Sequence, residues 1–376
     1  MAQPMLDVII IGAGVIGSSI ALELARRGAS VCVLDRGASG GEASIAAAGV
    51  LGVQYELSED GPLARLGMAS LERFPRWVAE LTELTGIDVG YRRSGGLYVA
   101  LTDDALDAVV RSVAWQAPLG LPFEVLDAAG ARAIEPHLAA EMVGAVRFPG
   151  DARIDPPSLT SATRIAASLS GVEMRSGAHV RRVVVEAGRA LGVALEDGSR
   201  IHAAKVVVAA GSWSALLDGT ALPDGFVRPA RGQIVELVTG RLPVRSILYG
   251  PGCYLSPRDE GRILVGSTME HVGFRQGVTA SAVQALLAAA IRLVPALGDA
   301  SIGRTWSGFR PQAECDLPLL GATAIEGLFL ATGHFRNGVT LSPITAAVLA
   351  DVLTGTPSPI DLAPFSAARL EQRASS

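Results

Sequence analysis

Two glycine-rich segments, one near each end of the chain, most constrain how it can fold. The first is an apolar run at 8–11 followed by Gly12-Ala13-Gly14-Val15-Ile16-Gly17. The second is an apolar run at 328–332 followed by Gly333-His334-Phe335-Arg336-Asn337-Gly338-Val339. Each pattern predicts a buried strand, a glycine turn and the start of a helix. That arrangement directs backbone N–H groups and the positive end of a helix dipole toward an electron-rich group.

The surroundings of the first segment match those of a dinucleotide-binding unit. Its β-branched run predicts a parallel strand that is buried on both faces. Residues 15–27 then place apolar side chains at helical spacing, and Gly28 ends the helix. A second apolar run at 31–34 leads to Asp35. A glycine motif between a strand and a helix, with an acidic residue after the next strand, is typical of dinucleotide binding, and a βαβ unit that binds nothing is the alternative.

Each residue of the motif has an expected role. Gly12 permits the tight turn, Gly14 lets the backbone approach a pyrophosphate, and Gly17 lets the helix pack closely on the strand. Asp35 is expected to accept hydrogen bonds from the adenosine ribose hydroxyls. A carboxylate at that place disfavours the 2′-phosphate of NADP, so FAD and NAD remain as candidates.

Composition limits the class of protein. The chain has 376 residues, of which 49% are hydrophobic and 18% charged, and its net charge is −5. These values predict a soluble globular protein of two domains or one large domain, without a nucleic-acid-binding surface. The three cysteines have no paired spacing, so we expect a reducing compartment and no metal site. No signal peptide is apparent and no apolar run approaches a membrane span, the most apolar helix being 283–294, so we expect a cytoplasmic protein.

The order of elements predicts an α/β (α+β) protein of two domains. A Rossmann-like cofactor domain is expected at 1–87, 147–226 and 304–376, because a strand at 205–208 and the terminal unit both lead into glycine turns. An antiparallel-sheet, substrate-binding domain is expected at 88–146 and 227–303, where alternating patterns predict strands and hairpins. Further predictions are a separate short strand at 200–202, a strand at 305–310, and a segment of small residues at 38–52 that packs a helix or lies against a flat ligand.

Five segments together give the chain a family resemblance. They are the first glycine turn with Asp35, Ala46-Ala47-Ala48-Gly49-Val50-Leu51-Gly52, Ala209-Ala210-Gly211-Ser212-Trp213, Trp306-Ser307-Gly308-Phe309-Arg310-Pro311, and the second glycine turn. On these residues the chain resembles the D-amino-acid oxidase superfamily of FAD-dependent amine oxidases, and within it the glycine oxidases of the thiamine pathway. The resemblance covers essentially the whole chain.

The resemblance implies a reaction and a cofactor. A hydride would leave the α-carbon of glycine, sarcosine, another N-alkyl glycine or a small D-amino acid for flavin N5. Water would hydrolyse the resulting imine to the oxo acid and ammonia or an amine. Dioxygen would reoxidise the flavin and be reduced to hydrogen peroxide. The family also implies a homotetramer and non-covalent FAD, although Cys315 lies roughly where monomeric sarcosine oxidases attach their flavin. The alternatives are a dehydrogenase of the same fold that reduces a quinone or a protein, and a binding protein without catalysis.

Arg310 is the main candidate for holding the substrate. It follows an apolar strand and precedes Pro311, and a guanidinium fork binds a carboxylate through two parallel hydrogen bonds. A structural ion pair is the alternative. The resemblance adds Tyr254 as a second carboxylate ligand, Tyr249 and Met269 as pocket residues, and Arg336 beside substrate and flavin, although the tyrosines and the methionine could equally be core residues.

The resemblance also assigns the cofactor site. His334 is expected to flank the flavin or to be structural. The residues assigned to FAD are Gly12, Ala13, Gly14, Val15, Ile16, Gly17, Asp35, Arg36, Ser44, Ala46, Ala47, Ala48, Gly49, Val50, Val180, Ala210, Gly211, Trp213, Arg310, His334, Phe335, Arg336, Asn337, Gly338, Val339 and Thr340.

One position departs from the family pattern. Glycine oxidases commonly carry a histidine two positions before the residue matched by Tyr254, and this chain has Gly252 there. Loss of the imidazole is expected to widen the pocket mouth. Strict preference for glycine over sarcosine, N-alkyl glycines or small D-amino acids is therefore not expected.

Overall fold

The computed structural model describes residues 5–37, 42–57, 59–241 and 243–370, so part of the small-residue segment, 38–41, lies outside the described residues. The helices are α1 Val15–Arg26, α2 Glu42–Ala46, α3 Val53–Glu56, α4 Pro62–Thr85, α5 Asp103–Val113, α6 Ala128–Ile134, α7 Pro156–Leu169, α8 Ala280–Leu293 and α9 Gly338–Thr354. The strands are β1 Leu6–Ile11, β2 Val31–Asp35, β3 Val50–Leu51, β4 Gly96–Ala100, β5 Glu124–Asp127, β6 Gly144–Phe148, β7 Ala152–Arg153, β8 Glu173–Ser176, β9 Val180–Glu186, β10 Arg189–Leu195, β11 Arg200–Val208, β12 Val227–Val238, β13 Ile247–Gly250, β14 Cys253–Pro257, β15 Arg262–Gly266, β16 Ser301–Ala313, β17 Leu319–Ala322 and β18 Leu328–Thr332.

The first sheet is the parallel sheet that the glycine motif predicts. Its order is β17-β18-β11-β1-β2-β8, and β1 pairs in parallel with both β2 and β11. Ile9 and Ile10 in the middle of β1 are fully buried, as expected for a strand covered on both faces. Helices α1, α4, α7 and α9 pack on one face of this sheet. The predicted α/β fold with a Rossmann-like sheet is confirmed.

The predicted short strand at 200–202 is wrong, because it is the beginning of the longer strand β11. Residues Arg200 to His202 pair antiparallel with β10, and the later residues pair in parallel with β1 and β18. Ala203 and Ala204 join the two parts, and neither residue interrupts a strand as glycine or proline would. One strand therefore belongs to an antiparallel ladder with β10 and to parallel ladders with β1 and β18.

The second sheet has the order β16-β12-β15-β14-β13-β4-β6-β5 and is antiparallel except for the β13–β4 pair. Two predicted domain boundaries need correction. The boundary at 146/147 falls inside β6, and that at 303/304 falls inside β16, which pairs with β12 from Val227↔Ala313 to Val238↔Ser301. Residues 308–311 of β16 line the cofactor cavity, whereas the backbone of the strand belongs to the second sheet.

Helix α9 corrects the expectation about apolar segments. Residues Phe335–Thr354 form a helical stretch that is long and apolar enough to cross a membrane by length and composition. In the structure, 72% of its most apolar window is buried inside the protein, against α1 and α4. The burial of α9 accounts for its apolar composition, since a helix that is hydrophobic on all sides is typical of a protein core.

The two sheets meet where β16 passes α2. A Cβ atom on Gly308 would lie 2.5 Å from the Cβ atom of Ala46, so the strand can pass only because glycine has no side chain. Trp306 Nε1 donates to the Ala46 carbonyl at 3.0 Å, and Ser212 Oγ donates to the Phe309 carbonyl at 3.0 Å. These contacts join the sheets at one side and leave a cavity between them.

Candidate active site

The cavity between the sheets has a volume of about 650 Å³. Its floor is formed by the carboxyl ends of β1, β2, β11 and β18, which is where open α/β sheets bind their ligands. Its far wall is formed by residues of β12, β14 and β16. Pockets that bind cofactors and substrates have volumes of about 300–1,000 Å³, and this cavity lies within that range.

The first glycine turn is as tight as its sequence requires. Gly12 has a φ of +108°, and a Cβ atom there would lie 2.4 Å from the Ala209 carbonyl oxygen. A Cβ atom on Gly17 would lie 2.0 Å from the Gly12 carbonyl oxygen. Gly14 is the N-cap residue of α1 and borders the cavity. Helix, turn and strand therefore approach one another through glycine backbone, which leaves the helix N-terminus open to an anion.

Two side chains brace this turn. The Asp35 carboxylate accepts hydrogen bonds from the backbone N–H groups of Ala13 and Gly37, both at 2.7 Å. Ser44 Oγ accepts from the backbone N–H of Val15 at 3.0 Å. Asp35 and Ser44 also border the cavity. A carboxylate has more acceptor positions than these two bonds use, so Asp35 can still accept from a ribose hydroxyl.

Arg36 and Trp213 close the same end of the cavity. The Arg36 guanidinium lies 3.9 Å from the centroid of the indole ring and also pairs with Glu42. A guanidinium over an aromatic face is a favourable electrostatic contact. The ring of Phe274 stacks on Trp213 at a centroid distance of 5.0 Å. This end of the cavity therefore has flat, partly cationic surfaces.

The second glycine turn holds a buried histidine and an exposed arginine. Burial lowers the pKa of the His334 imidazole to about 3, and its Nε2 lies 3.1 Å from Thr345 Oγ1. The imidazole at this depth is therefore neutral and hydrogen-bonded. Phe335 has a φ of +48°, and the Arg336 guanidinium lies 5.4 Å from the Phe335 ring centroid. Arg336, which follows Phe335 in this turn, borders the cavity.

Arg310 reaches the cavity across a glycine on the neighbouring strand. A Cβ atom on Gly232 in β12 would lie 2.3 Å from the Nη atoms of Arg310, so the guanidinium occupies the space of an absent side chain. Arg310 Nη2 donates to Ser267 Oγ at 2.6 Å, and Nη1 donates to the Thr268 carbonyl at 3.2 Å. Burial lowers the pKa of this guanidinium below its usual range, and nearby Arg336 acts in the same direction.

Tyr254 approaches from the opposite side in the same way. A Cβ atom on Gly266 in β15 would lie 2.3 Å from the Tyr254 hydroxyl oxygen, so the phenol crosses β15 over a glycine. Burial raises the pKa of Tyr254, while the Arg310 charge and Ser267 act against it. The hydroxyl therefore keeps its proton and can donate a hydrogen bond. The phenol and the guanidinium converge beyond the end of β15, where both border the cavity.

Tyr249 borders the cavity with its ring but commits its hydroxyl elsewhere. Its OH donates to Asp151 Oδ2 at 2.7 Å, and its ring stacks on Tyr55 at 4.1 Å. Asp151 is fully buried, and Oδ1 has no hydrogen-bond partner among the described residues. Burial raises the Asp151 pKa to about 8, against the effect of the Tyr249 hydrogen bond.

Glu56 is a cavity residue that the sequence analysis missed. It ends the short helix α3, and it borders the cavity together with Tyr55. Burial raises the pKa of its carboxyl, whereas the charges of Arg336 and Arg310 lower it. The available signal was its position shortly after the small residues 46–52, because that segment was already assigned to the ligand.

Gly252 and Met269 border the cavity near its mouth. Met269 is 42% exposed, and its sulfur lies 4.0 Å from Arg310 Nη1. Gly252 has a φ of +86°, and a Cβ atom there would lie 3.5 Å from the Cβ atom of Ala289 on α8. A Cβ atom at 252 would therefore be in ordinary van der Waals contact with α8.

The structure brings most of the predicted residues together around one cavity. Those outside its lining have other places: the Ala13 N–H is bound to Asp35, Gly17 packs on Gly12, Asn337 is the N-cap of α9, and the Thr340 carbonyl accepts from Ser70. The predicted residues that line the cavity are Gly12, Gly14, Val15, Ile16, Asp35, Arg36, Ser44, Ala46, Ala47, Ala48, Gly49, Val50, Val180, Ala210, Gly211, Trp213, Tyr249, Gly252, Tyr254, Met269, Arg310, His334, Phe335, Arg336, Gly338 and Val339.

The shape and the donors of the cavity fit FAD. At one end an open helix N-terminus can meet a pyrophosphate, with Asp35 placed for the ribose. The backbone of Ala46, Ala47 and Ala48 forms a wall of small residues along the middle. At the other end two guanidinium groups face the space that remains for a small anionic substrate.

Comparison with known proteins agrees with this geometry. The family model for FAD dependent oxidoreductases (DAO) matches residues 7–352. The glycine oxidase of Geobacillus kaustophilus is 37% identical over 368 residues, which cover 96% of this chain and 97% of that protein. A crystal structure of glycine oxidase from the same organism superposes with a TM-score of 0.92 at 36% identity, covering 96% of this chain and 98% of the other.

Two further relatives carry other names. The bifunctional protein ThiO/ThiG of a Nostoc species is 36% identical and covers 98% of this chain, which spans 56% of that longer protein. The crystal structure of iminodiacetate oxidase from a Chelativorans species has a TM-score of 0.86 at 31% identity, covering 96% of this chain and 98% of the other.

The Asp151 carboxyl predicts how stability depends on pH. Because its pKa is about 8 in the folded protein against an ordinary value of 3.8, the folded protein binds this proton more tightly than the unfolded chain does. That contribution to stability is fully present below pH 3.8 and is lost as the pH rises toward 8. The slope is at most about 1.4 kcal/mol per pH unit.

Asp151→Asn should therefore make the free energy of unfolding less dependent on pH over this window, while the amide oxygen still accepts from Tyr249. Urea denaturation at a series of pH values measures the effect. Asp107→Asn, on the exposed side of α5, is the control and should leave the profile of the wild type unchanged. If Asp151→Asn also gave the wild-type profile, the carboxyl would not be held in its protonated form.

Proposed function

Because this chain belongs to the family of FAD dependent oxidoreductases, we propose that it is an amino-acid oxidase whose substrates are glycine and closely related small amines. The observation that carries the proposal is the convergence of Arg310 and Tyr254 at one end of the cofactor cavity. A guanidinium and a protonated phenol at this place suit a small carboxylate. The products would be the oxo acid, ammonia or an amine, and hydrogen peroxide.

Arg310 fixes the substrate carboxylate in this proposal. Each of its Nη atoms carries two N–H groups, and Ser267 and Thr268 accept one from each. The remaining N–H groups can bind both carboxylate oxygens in parallel, which sets the direction of the α-carbon. Tyr254 donates to the same carboxylate, because its raised pKa keeps it protonated. Orientation of this kind is itself a large part of catalysis.

Glu56 supplies the cavity with a carboxyl group whose oxygen can accept a hydrogen bond from the substrate amine. Arg336 and Arg310 favour the ionised form of this carboxyl, whereas burial raises its pKa. Bound FAD would supply the two-electron acceptor for the carbon–nitrogen bond. The N-terminus of α9, beside the second glycine turn, favours negative charge at its end of the cavity.

A non-covalent cofactor is the form that the cysteines favour. Cys315 is exposed, it lies outside the cavity lining, and its sulfur accepts from Arg369 Nη1 at 2.9 Å. Burial raises the pKa of the cavity residue Cys253 to about 12, so its thiol is a poor nucleophile. Acid precipitation should therefore release the flavin into the supernatant, whereas a yellow pellet would indicate covalent attachment.

Anaerobic reduction followed by exposure to air tests the proposed reaction. Glycine or sarcosine should bleach the yellow protein without oxygen, and air should restore the colour with formation of hydrogen peroxide. Slow reoxidation without peroxide would favour a dehydrogenase that uses a quinone or a protein acceptor. A protein that glycine, sarcosine and small D-amino acids all fail to bleach would contradict the proposed function.

The biological setting of the enzyme is part of the same proposal. The similarity to ThiO/ThiG favours a role in thiamine biosynthesis. We infer a soluble cytoplasmic protein, because among the described residues the one helix long and apolar enough to span a membrane is mostly buried. The family resemblance favours a homotetramer, and size-exclusion chromatography with light scattering would distinguish a tetramer from a monomer or dimer.

Substitutions at Arg310 should affect substrate binding most. Arg310→Ala removes the charge and both parallel hydrogen bonds, and should weaken carboxylate binding by about 2–5 kcal/mol. Arg310→Lys should recover little of this, since a point charge cannot replace the planar fork. Steady-state peroxide assays with glycine give KM and kcat for both variants. Kinetics of the lysine variant close to those of the wild type would show that Arg310 is not the anchor.

Gly252 should influence the choice between glycine and N-alkyl glycines. Without an imidazole near the mouth, an N-methyl group can occupy space, which is worth about 1 kcal/mol, or several-fold in kcat/KM. The likeness to iminodiacetate oxidase, which is named for a secondary amine, also favours substituted amines. The wild type should therefore oxidise sarcosine or N-ethylglycine at least as efficiently as glycine.

Gly252→His should shift this ratio back toward glycine. Gly252→Ala is the matched control, because it has the same backbone strain at a φ of +86° but no imidazole. The two variants are compared by kcat/KM for glycine and sarcosine. If histidine and alanine leave the ratio equally unchanged, the side chain at 252 does not act on the substrate.

A further inference from the structure

The ion pair between Arg231 and Glu270 contacts Thr268, one of the residues that hold Arg310. Arg231 on β12 is only 2% exposed, and its Nη2 donates to Glu270 Oε2. The backbones of the two residues also pair, with Arg231 N donating to the Glu270 carbonyl at 2.9 Å and Glu270 N to the Arg231 carbonyl at 3.0 Å. Arg231 and Glu270 are absent from the cavity lining, so they would not contact the substrate.

The Glu270 carboxylate is connected to Arg310 through Thr268. Thr268 Oγ1 donates to Glu270 Oε1 at 2.6 Å, and the same hydroxyl oxygen accepts from the Gln233 N–H at 3.0 Å. The carbonyl of Thr268 accepts from Arg310 Nη1 at 3.2 Å. Thr268 is therefore held at its side chain by Glu270 while its backbone holds the guanidinium.

Arg231 also holds the segment 267–279 at a second point, the Arg275 carbonyl. Its Nη1 donates to the Arg275 carbonyl at 3.0 Å, so one guanidinium fastens the chain at 270 and at 275. Between these points Phe274 stacks on Trp213 at the cofactor end of the cavity. Gln233 adds a further attachment, since its Oε1 accepts from the Thr279 N–H at 2.7 Å. The segment 267–279 is thus fixed to β12 along its length.

We propose that Glu270, held by Arg231, is a positioning residue that sets the orientation of the Arg310 guanidinium through Thr268. Its charge is matched by that of Arg231, so removing Glu270 leaves the buried guanidinium of Arg231 without compensation. The inference rests on the proposed role of Arg310 as the carboxylate anchor. It predicts a defect in carboxylate binding that is larger than the defect in the chemical step.

Three variants separate positioning from general stability. Glu270→Gln keeps the size of the side chain but turns an amide toward the donors of Arg231. Thr268→Val keeps the carbonyl that Arg310 uses but loses the hydroxyl that Glu270 holds, and it leaves the ion pair intact. Thr268→Ser restores the hydroxyl. Glu236→Gln is the matched control, because Glu236 lies on β12 as Arg231 does, is 4% exposed, and pairs with Arg262 away from Arg310.

Acetate is the probe for carboxylate binding, and the change in flavin absorbance of the FAD-loaded protein gives its Kd without turnover. Glu270→Gln and Thr268→Val should raise the Kd for acetate and the KM for glycine about tenfold, with kcat changed by no more than about twofold. Thr268→Ser and Glu236→Gln should stay within about twofold of the wild type in all three values.

Binding of acetate by Glu270→Gln and Thr268→Val with wild-type affinity would overturn the inference. So would an equal defect in Thr268→Ser, because the hydroxyl would then have no part in the effect. A wild-type protein that binds acetate but does not oxidise glycine would remove the proposed substrate, and the same Kd values would still decide the role of Glu270. A wild-type protein that does not bind acetate would overturn both proposals.

Discussion

The passage of β16 over α2 is the contact on which the cavity depends. Gly308 allows the strand to lie against Ala46, and the Trp306 indole fixes the same two elements by its hydrogen bond at 3.0 Å. On its other edge β16 pairs with β12 over almost its whole length. One strand thereby connects the second sheet to the wall of the cofactor cavity and carries Arg310 into the space between them. A larger residue at 308 would separate the sheets and move the guanidinium with its strand.

Two glycines, which have no side chains, set the positions of Arg310 and Tyr254. Arg310 crosses β12 at Gly232, and Tyr254 crosses β15 at Gly266. Polar side chains that lie flat across neighbouring strands are shielded from water, and this burial lowers the pKa of the guanidinium and raises that of the phenol. With Arg336 nearby, two cations then face Glu56. A carboxylate substrate would compensate the remaining charge, which is a physical reason for an anionic ligand at this place.

The part of the fold that could be predicted is the part with a local pattern. The β1–α1 turn is specified by successive residues, and Arg310 is singled out by its place before Pro311, although β16 continues past both residues to Ala313. Asp151 and Glu270 gave no such signal, because their partners Tyr249 and Arg231 lie 98 and 39 positions away in the chain. The corrections to β11 and β16 have a related cause. Strand β11 pairs with β10, β1 and β18, and β16 pairs with β12 although its motif borders the cofactor cavity. A periodic pattern shows how a strand is buried but not which strands it pairs with.

We expect FAD to extend from the first glycine turn to a carboxylate site at Arg310, and a crystal structure of the FAD-loaded protein with glycolate would show whether it does. The pyrophosphate should lie at the N-terminus of α1, the flavin against the small residues 46–50, and the glycolate carboxylate on both Nη atoms of Arg310 with Tyr254 as a further donor. Glycolate bound at Arg336 alone, or a flavin that does not reach Arg310, would contradict this expectation.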